Sequence, residues 1–284
     1  MPPPRYTIEK SYDGSHLTDD FRRFFMSTSE LSAHSTNICL RLIIFVVCNK
    51  HQSLHMPFQF QQFFIDDTHC AHKVGTDGVL LGAWTDIQGA TNVLDIGCGS
   101  GLVGLIVAQR SPARVTGVEI DEAAANDATL NAARSPWNER IRIVCADIRT
   151  YEPEERFDAI LSNPPFFNET LLPPDDGRAL ARHTALLPFD TLLHKIDRLG
   201  TDDCRLSMVL PYHIEPEFTR LAVAHTFFLT RKTLVHTKQG KPCKRVLVSY
   251  SREPLACQQD TLTLTDESGA RTSAYQQLTS HLYL

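Results

Sequence analysis

Val93-Leu94-Asp95-Ile96-Gly97-Cys98-Gly99-Ser100-Gly101-Leu102-Val103-Gly104 decides how this chain folds. The run Asn92–Ile96 is short, apolar and bounded at once by glycines, the pattern of a buried strand. Residues 102–109 then carry apolar side chains on one helical face. Strand, glycine-rich turn and helix make the first half of a nucleotide-binding α/β unit. Without a Cβ, Gly97, Gly99 and Gly101 can take positive φ and let a ligand come close to the backbone. The helix behind them points unpaired N–H groups at the same place. A tight turn that holds no ligand is the alternative, but three glycines in five positions exceed what one turn needs.

The ligand is narrowed by Asp95. Gly99-Ser100-Gly101-Leu102-Val103-Gly104 fits the dinucleotide pattern G-x-G-x-x-G, which alone is weak. By itself it also suits a nicotinamide-dependent dehydrogenase. With Asp95 two residues before Gly97, the stretch resembles the S-adenosylmethionine (SAM) loop of class I methyltransferases. That resemblance implies a Rossmann-like α/β fold: a central, mostly parallel seven-stranded sheet with helices on both faces. It also implies SAM as cofactor, with Asp95 near its cationic methionine end. A dehydrogenase would leave Asp95 without a role.

The chain has 284 residues, enough for one large domain with appendages, and 42% of them are apolar, as in proteins with a sizeable core. A net charge of −5 makes it not globally basic, which leaves a local nucleic-acid patch open. The eight cysteines form no C-x-x-C pair, so neither a zinc site nor a redox motif is expected. Scattered and mostly flanked by apolar residues, they read as buried thiols of a reducing cytoplasm. Residues 1–55 differ from the rest. They are polar at first, then carry an apolar run at 38–48 that is too short to span a bilayer and includes Arg41. We expect residues 1–55 to be a poorly ordered upstream extension, Met56 to be the natural start, and 56–284 to be the functional domain.

Beyond the extension, 58–65 alternates loosely as a strand or hairpin arm. A helix follows, ending before Ile87, with Thr76 or Asp77 either capping it or touching the cofactor. After the glycine loop, 114–120 is a β-branched strand ending in Glu119. An acid about 20 residues past the glycines is placed to accept hydrogen bonds from ribose hydroxyls. An alanine-rich helix at 122–135, a strand at 140–145 and Asp147 come next. The class I resemblance implies that Asp147 holds the adenine amino group of SAM. Residues 157–161 are a further strand, followed by helices at 186–199 and 215–224. Strands are read at 205–210, 227–236 and 245–250, with a late edge strand at 261–265 and a helix at 273–282. Arg231, Lys232, Lys238, Lys241, Lys244, Arg245 and Arg252 occur with no acid between Phe227 and Arg252. Such a run is usually a solvated face, but here it is a candidate phosphate contact, as are Arg178 and Arg182.

The strand at 157–161 runs into Ser162-Asn163-Pro164-Pro165-Phe166. Two prolines end the strand and fix a rigid loop at the sheet edge where open α/β sheets bind ligands. An exocyclic amine is a poor nucleophile because its lone pair conjugates with the ring. The Asn163 side-chain oxygen and the Pro164 carbonyl can accept its two N–H groups and draw the nitrogen toward tetrahedral geometry. Pro165 would keep both acceptors rigid, and Phe166 offers a face for base stacking. The tetrapeptide resembles the Asn/Asp-Pro-Pro-Tyr/Phe motif of amino-group methyltransferases acting on adenine N6, guanine N2 or glutamine N5. In these enzymes the Asn position also borders the cofactor. Four further stretches narrow the choice: 73–78 (KVGTDG), 80–84 (LLGAW), 135–141 (SPWNERI) and 181–184 (ARHT). They resemble the bacterial valine-tRNA adenine-N6 methyltransferase family, whose target is the adenosine 3′ of the anticodon, position 37. The resemblance spans roughly 58–284 and implies a cytoplasmic enzyme with a tRNA substrate, no metal and no membrane. Phe166 departs from the tyrosine frequent in that family. rRNA guanine-N2 and protein glutamine-N5 methylation remain alternatives.

Overall fold

The computed structural model describes residues 57–164 and 187–283. The expectations for the extension 1–55 and for Met56, Pro165, Phe166, Arg178 and Arg182 fall outside the described residues. The described residues belong to one compact unit, Met56–Leu284. In chain order they form β1 (Phe58–Gln59), β2 (Phe64–Ile65), α1 (Thr76–Trp84), β3 (Asn92–Ile96), α2 (Leu102–Arg110), β4 (Arg114–Glu119) and α3 (Glu122–Arg134). There follow β5 (Ile141–Cys145), β6 (Phe157–Ser162), α4 (Phe189–Leu199), β7 (Gly200–Pro211) and α5 (Glu215–Ala224). The chain ends in β8 (Phe228–Lys238), β9 (Arg245–Ser251), β10 (Gln258–Thr265) and α6 (Ser273–Thr279).

β1 and β2 pair as a small hairpin, and the other eight strands form one sheet in the order β10-β8-β9-β7-β6-β3-β4-β5. Within this sheet only the β7–β9 and β8–β9 pairings are antiparallel. The sheet thus has one strand more than the seven expected. The addition is β10, the late edge strand, which pairs parallel to β8 and turns Leu262 and Leu264 onto the α6 face, where Tyr275 packs.

Strand parity divides the core. Leu94, Ile96, Ile160, Leu206 and Met208 face α4 and α5, while Val93, Val115, Leu161 and Val209 face α1 and α2. Central strands buried on both faces need apolar residues at both parities, which is why they read as continuous runs. α1 and α2 lie parallel in close contact. A Cβ on Gly78 would come 3.1 Å from Leu102, and one on Gly82 would come 2.9 Å from Ile106 Cβ. Alanine at Gly82 would overpack the pair at a cost of about 1–3 kcal/mol. Arg110 donates to the Gly82 and Thr85 carbonyls at 2.6 and 3.0 Å, satisfying the end of α1. Trp84 Nε1 donates to Thr233 Oγ1 at 2.8 Å, fixing that end against β8. Among the described residues no helix is long and apolar enough to cross a membrane.

β3 pairs with β4 on one side and β6 on the other, so the order of strands reverses between β3 and β6. The carboxyl ends of strands beside such a switch point form the ligand crevice of open α/β sheets. The glycine loop leaves β3 there, and Asn163 leaves β6 beside it.

Candidate active site

The glycine loop has the conformation its sequence demands. Gly97, Gly99 and Gly101 have φ of +70°, +53° and +82°. A Cβ at Gly97 or Gly99 would meet no protein atom within 4 Å, whereas one at Gly101 would touch Ala128 at 3.4 Å. The first two glycines therefore border open space, and the third serves packing against α3 as well as the turn. Gly101 is also the N-cap of α2 and offers no side-chain cap, so part of the first turn's N–H groups stay available.

Asp95 is 1% exposed, on the α2 side of β3, and the Gly104 N–H donates to its Oδ2 at 3.1 Å. Burial, with Glu119 nearby, pushes its carboxyl up to about 7, against the pull of the Gly104 N–H. A carboxylate so placed gains from any cation brought to the loop. Beneath the loop, Cys98 is buried against Gly117, where a Cβ would come 2.9 Å from its sulfur, and burial raises its thiol well above the ordinary value. Cys98 therefore packs as an uncharged side chain.

Glu119 ends β4 and is not a bare surface acid. Its Oε2 accepts the Gly99 N–H at 2.8 Å, and its Oε1 accepts the N–H groups of Ile120 and Asp121 at 2.9 and 3.0 Å. One carboxylate thus sets both the glycine loop and the entry to α3. Asp121 then caps α3 by accepting the Ala124 N–H at 2.8 Å. Asp147 lies two residues beyond Cys145, the register partner of Glu119, so the two acids share one sheet edge. Arg149 holds Asp147 through Nε at 2.8 Å and Nη2 at 2.5 Å, and this guanidinium keeps the carboxyl below its ordinary range. A ligand amine at Asp147 would have to share it with Arg149.

On the other side of the switch point, Ser162 Oγ donates to the Ile96 carbonyl at 2.9 Å, across the β3–β6 register pair Ile96↔Ser162. That bond fixes the half-buried Asn163 and Pro164 beside Gly97, at the exits of neighbouring strands. Thr76 and Asp77 do not cap α1: the N-cap is Gly75, with no side-chain hydrogen bond. Gly75 is extended (φ −130°), and its own carbonyl starts the helix by accepting the Val79 N–H. Thr76 is exposed in the first turn of α1, two residues from Gly78, whose neighbour is Leu102 at the start of α2. It thus stands at the same edge as the glycine loop. Asp77 instead accepts from Arg245 Nε at 3.0 Å, tying α1 to β9.

The basic run does not form one surface. Arg252 follows β9 at the opposite sheet edge from Asn163, paired with Asp197 and stacked on Phe227 with its guanidinium 4.1 Å from the ring centroid. Arg231 lies over Trp84 at 4.2 Å, and Lys232 pairs with Glu215. These three, with Arg245, are committed within the fold. Lys238, Lys241 and Lys244 are the cations of the run without an ion-pair partner among the described residues, and they cluster at the β8–β9 turn. Because β8 runs parallel to the central strands, that turn lies at the Asn163 edge.

Three groups have no place in the sequence-level site. Ile120 is 64% exposed directly after Glu119, an apolar face at the edge where a cofactor base would lie. The signal was an apolar residue just past a strand's end. Asn131 Nδ2 donates to the Ser100 carbonyl at 3.0 Å and to Asp66 O at 2.8 Å, stapling the segment before α1 to the glycine loop. Asp127, one helical turn earlier, accepts from the His69 backbone N–H at 2.7 Å. Polar side chains at buried positions of an alanine-rich helix were the available sign.

Residues 70–180 match the family model described as the methyltransferase small domain. A solved structure described as a predicted O-methyltransferase from Agrobacterium tumefaciens superimposes with a TM-score of 0.56 at 21% identity, covering 72% of this chain and 96% of its own. The sheet order, glycine loop and this match define a class I methyltransferase fold. A tRNA1(Val) (adenine(37)-N6)-methyltransferase from Bacteroides fragilis is 42% identical over 231 residues, covering 80% of this chain and 97% of its own. The same-named protein of Yersinia enterocolitica is 41% identical over 231 residues, 80% of this chain and 92% of its own. This chain belongs to the tRNA1(Val) (adenine(37)-N6)-methyltransferase family. The dehydrogenase alternative falls with that finding.

Proposed function

We propose that this protein transfers the methyl group of SAM to the exocyclic N6 of adenosine 37 in valine tRNA. The observation that carries the reading is the position of Asn163 and Pro164, held by the Ser162–Ile96 bond at the strand exit next to Gly97. SAM fits the residues present, since Gly97 and Gly99 border open space and two carboxylates stand at the loop. Asp95 and the loop would take its cationic end, Glu119 its ribose, and Ile120 and Asp147 its base, with Thr76 at the rim. Bound there, SAM supplies an electrophilic methyl on a sulfonium.

The protein's own contribution is to the amine. The Asn163 side-chain oxygen and the Pro164 carbonyl accept the two N–H bonds of N6, which frees its lone pair as the nitrogen becomes tetrahedral. Pro165 stiffens the loop and Phe166 stacks on the base. Both acceptors are set before the base arrives, so little reorganises during the reaction. The amine's proton can leave to water, so no strong general base is needed. Lys238, Lys241 and Lys244, with Arg178 and Arg182, are the proposed phosphate contacts. We assign the enzyme to the cytoplasm, where its tRNA is found. Incubating the protein with SAM and unmodified valine tRNA, followed by nucleoside mass spectrometry, tests the reading. N6-methyladenosine is expected; N2-methylguanosine, or no methylated nucleoside at all, would overturn it.

A further inference from the structure

The turn after β7 carries an aromatic side chain that neither the core nor the cofactor crevice uses. Tyr212 is 49% exposed, unusual for a large ring directly after a strand whose last six residues are buried. It sits at the same sheet edge as Asn163. Ser162 is in register with Met208, so Tyr212 stands three positions past Val209, the level of Asn163 on the neighbouring strand. At about 3.3 Å per residue, that is on the order of 10 Å along the sheet.

Its backbone is fixed. The Tyr212 N–H donates to the Lys244 carbonyl at 3.0 Å, extending the β7–β9 ladder one step past Pro211↔Arg245. That bond puts the Tyr212 backbone beside Lys244 at the β8–β9 turn, where Lys238, Lys241 and Lys244 lack ion-pair partners among the described residues. A cation also lies near the ring, with Lys232 Nζ 6.0 Å from its centroid. A half-exposed ring on a fixed backbone whose ladder partner is the uncommitted Lys244 is the combination by which proteins hold single-stranded nucleic acid: bases stack on the ring while lysines follow the phosphates.

We propose that Tyr212 is a stacking platform for an unpaired RNA base flanking the methylated one. This rests on the reading of the chain as an RNA methyltransferase and adds a substrate-binding residue to it. The ring binds through its π-face, so the hydroxyl is dispensable and the base's identity matters little.

The test uses the full-length protein and an unmodified valine-tRNA anticodon stem-loop carrying 2-aminopurine at successive loop positions. Binding is read by fluorescence and methylation by single turnover. Tyr212→Ala should weaken RNA binding about tenfold or more, remove the quenching seen at one loop position, and leave SAM affinity unchanged. Tyr212→Phe should stay within about twofold of wild type, and Tyr212→Leu should fall between. Wild-type methylation together with equal RNA affinity and quenching in Tyr212→Ala overturns the stacking role alone. A wild-type protein that binds SAM but neither binds nor methylates the RNA overturns the proposed function, and the platform with it.

Discussion

Glu119→Ala separates two jobs that one carboxylate performs. In the structure its Oε1 accepts two backbone N–H groups, which fills that oxygen's usual capacity, while Oε2 accepts one. Removing the side chain strips an acceptor from three donors. Those of Ile120 and Asp121 are exposed, so water replaces much of what is lost; that of Gly99 is partly buried. The folding cost should therefore be about 1–3 kcal/mol, below the sum of three charge-assisted bonds. For SAM the count is different. One lone-pair site on Oε2 remains open, so one strong hydrogen bond to a ribose hydroxyl is lost, roughly 1.5–3 kcal/mol. That is about a 10- to 150-fold rise in Kd. Glu119→Gln should not rescue fully, because its NH2 must face a backbone donor or the ligand hydroxyl. Calorimetric titration with SAM, beside urea unfolding without it, measures both terms. A folded Glu119→Ala protein with SAM affinity within twofold of wild type would remove Glu119 from the cofactor site and leave it only the loop-shaping role.

Asp95 makes stability pH-dependent. Its folded value of about 7 lies above the ordinary 3.8, so the folded state holds this proton more tightly than the unfolded chain. Its contribution to stability is then fully present below about pH 4 and is lost as pH rises toward 7. Asp95→Asn should flatten that part of the stability–pH curve, and an unchanged slope would contradict the burial argument. The Lys238→Glu, Lys241→Glu double variant should lower the salt dependence of RNA binding, reducing the log–log slope by about 1.4–1.8 units for two lost phosphate contacts, with SAM affinity unaffected. An unaltered slope would return both lysines to a merely solvated turn.

The parts of the site legible in the sequence are those built by local chain geometry. Positive φ at Gly97, Gly99 and Gly101 follows from the shortness of the turn between Asn92–Ile96 and Leu102–Arg110, so a twelve-residue window held the whole argument. Glu119 and Asn163 were legible because each ends a buried strand whose apolar run is itself visible. What failed depended on long-range register. The basic run reads as one patch in sequence, yet the β8–β9 hairpin carries Arg252 back to the far edge and leaves Lys238 and Lys241 at the near one. Thr76 or Asp77 read as either a cap or a cofactor contact; Gly75 holds the cap position, and Asp77 has a partner 168 residues away in Arg245. Gly200, which follows α4, is a glycine for a reason no local pattern shows. Its φ is −77°, and the missing Cβ instead makes room for Cys204, which would lie 2.8 Å away.

The central claim is that Asn163 acts on the amine of the RNA base. It is tested most directly by single-turnover methylation of unmodified valine tRNA with Asn163→Ala, run beside a SAM binding isotherm. Asn163 belongs to the strand exit next to the loop and not to the loop itself, so SAM affinity should stay close to wild type. The rate should fall by about 10²-fold or more, the usual cost of removing one preorganised hydrogen-bonding group from a transition state. The loss should appear in kcat more than in KM, because the acceptor is needed most when N6 becomes tetrahedral. Asn163→Asp, which keeps an oxygen in place, should lose less. Near-wild-type turnover in Asn163→Ala would contradict the account and reduce the Asn163-Pro164 exit to a strand terminator.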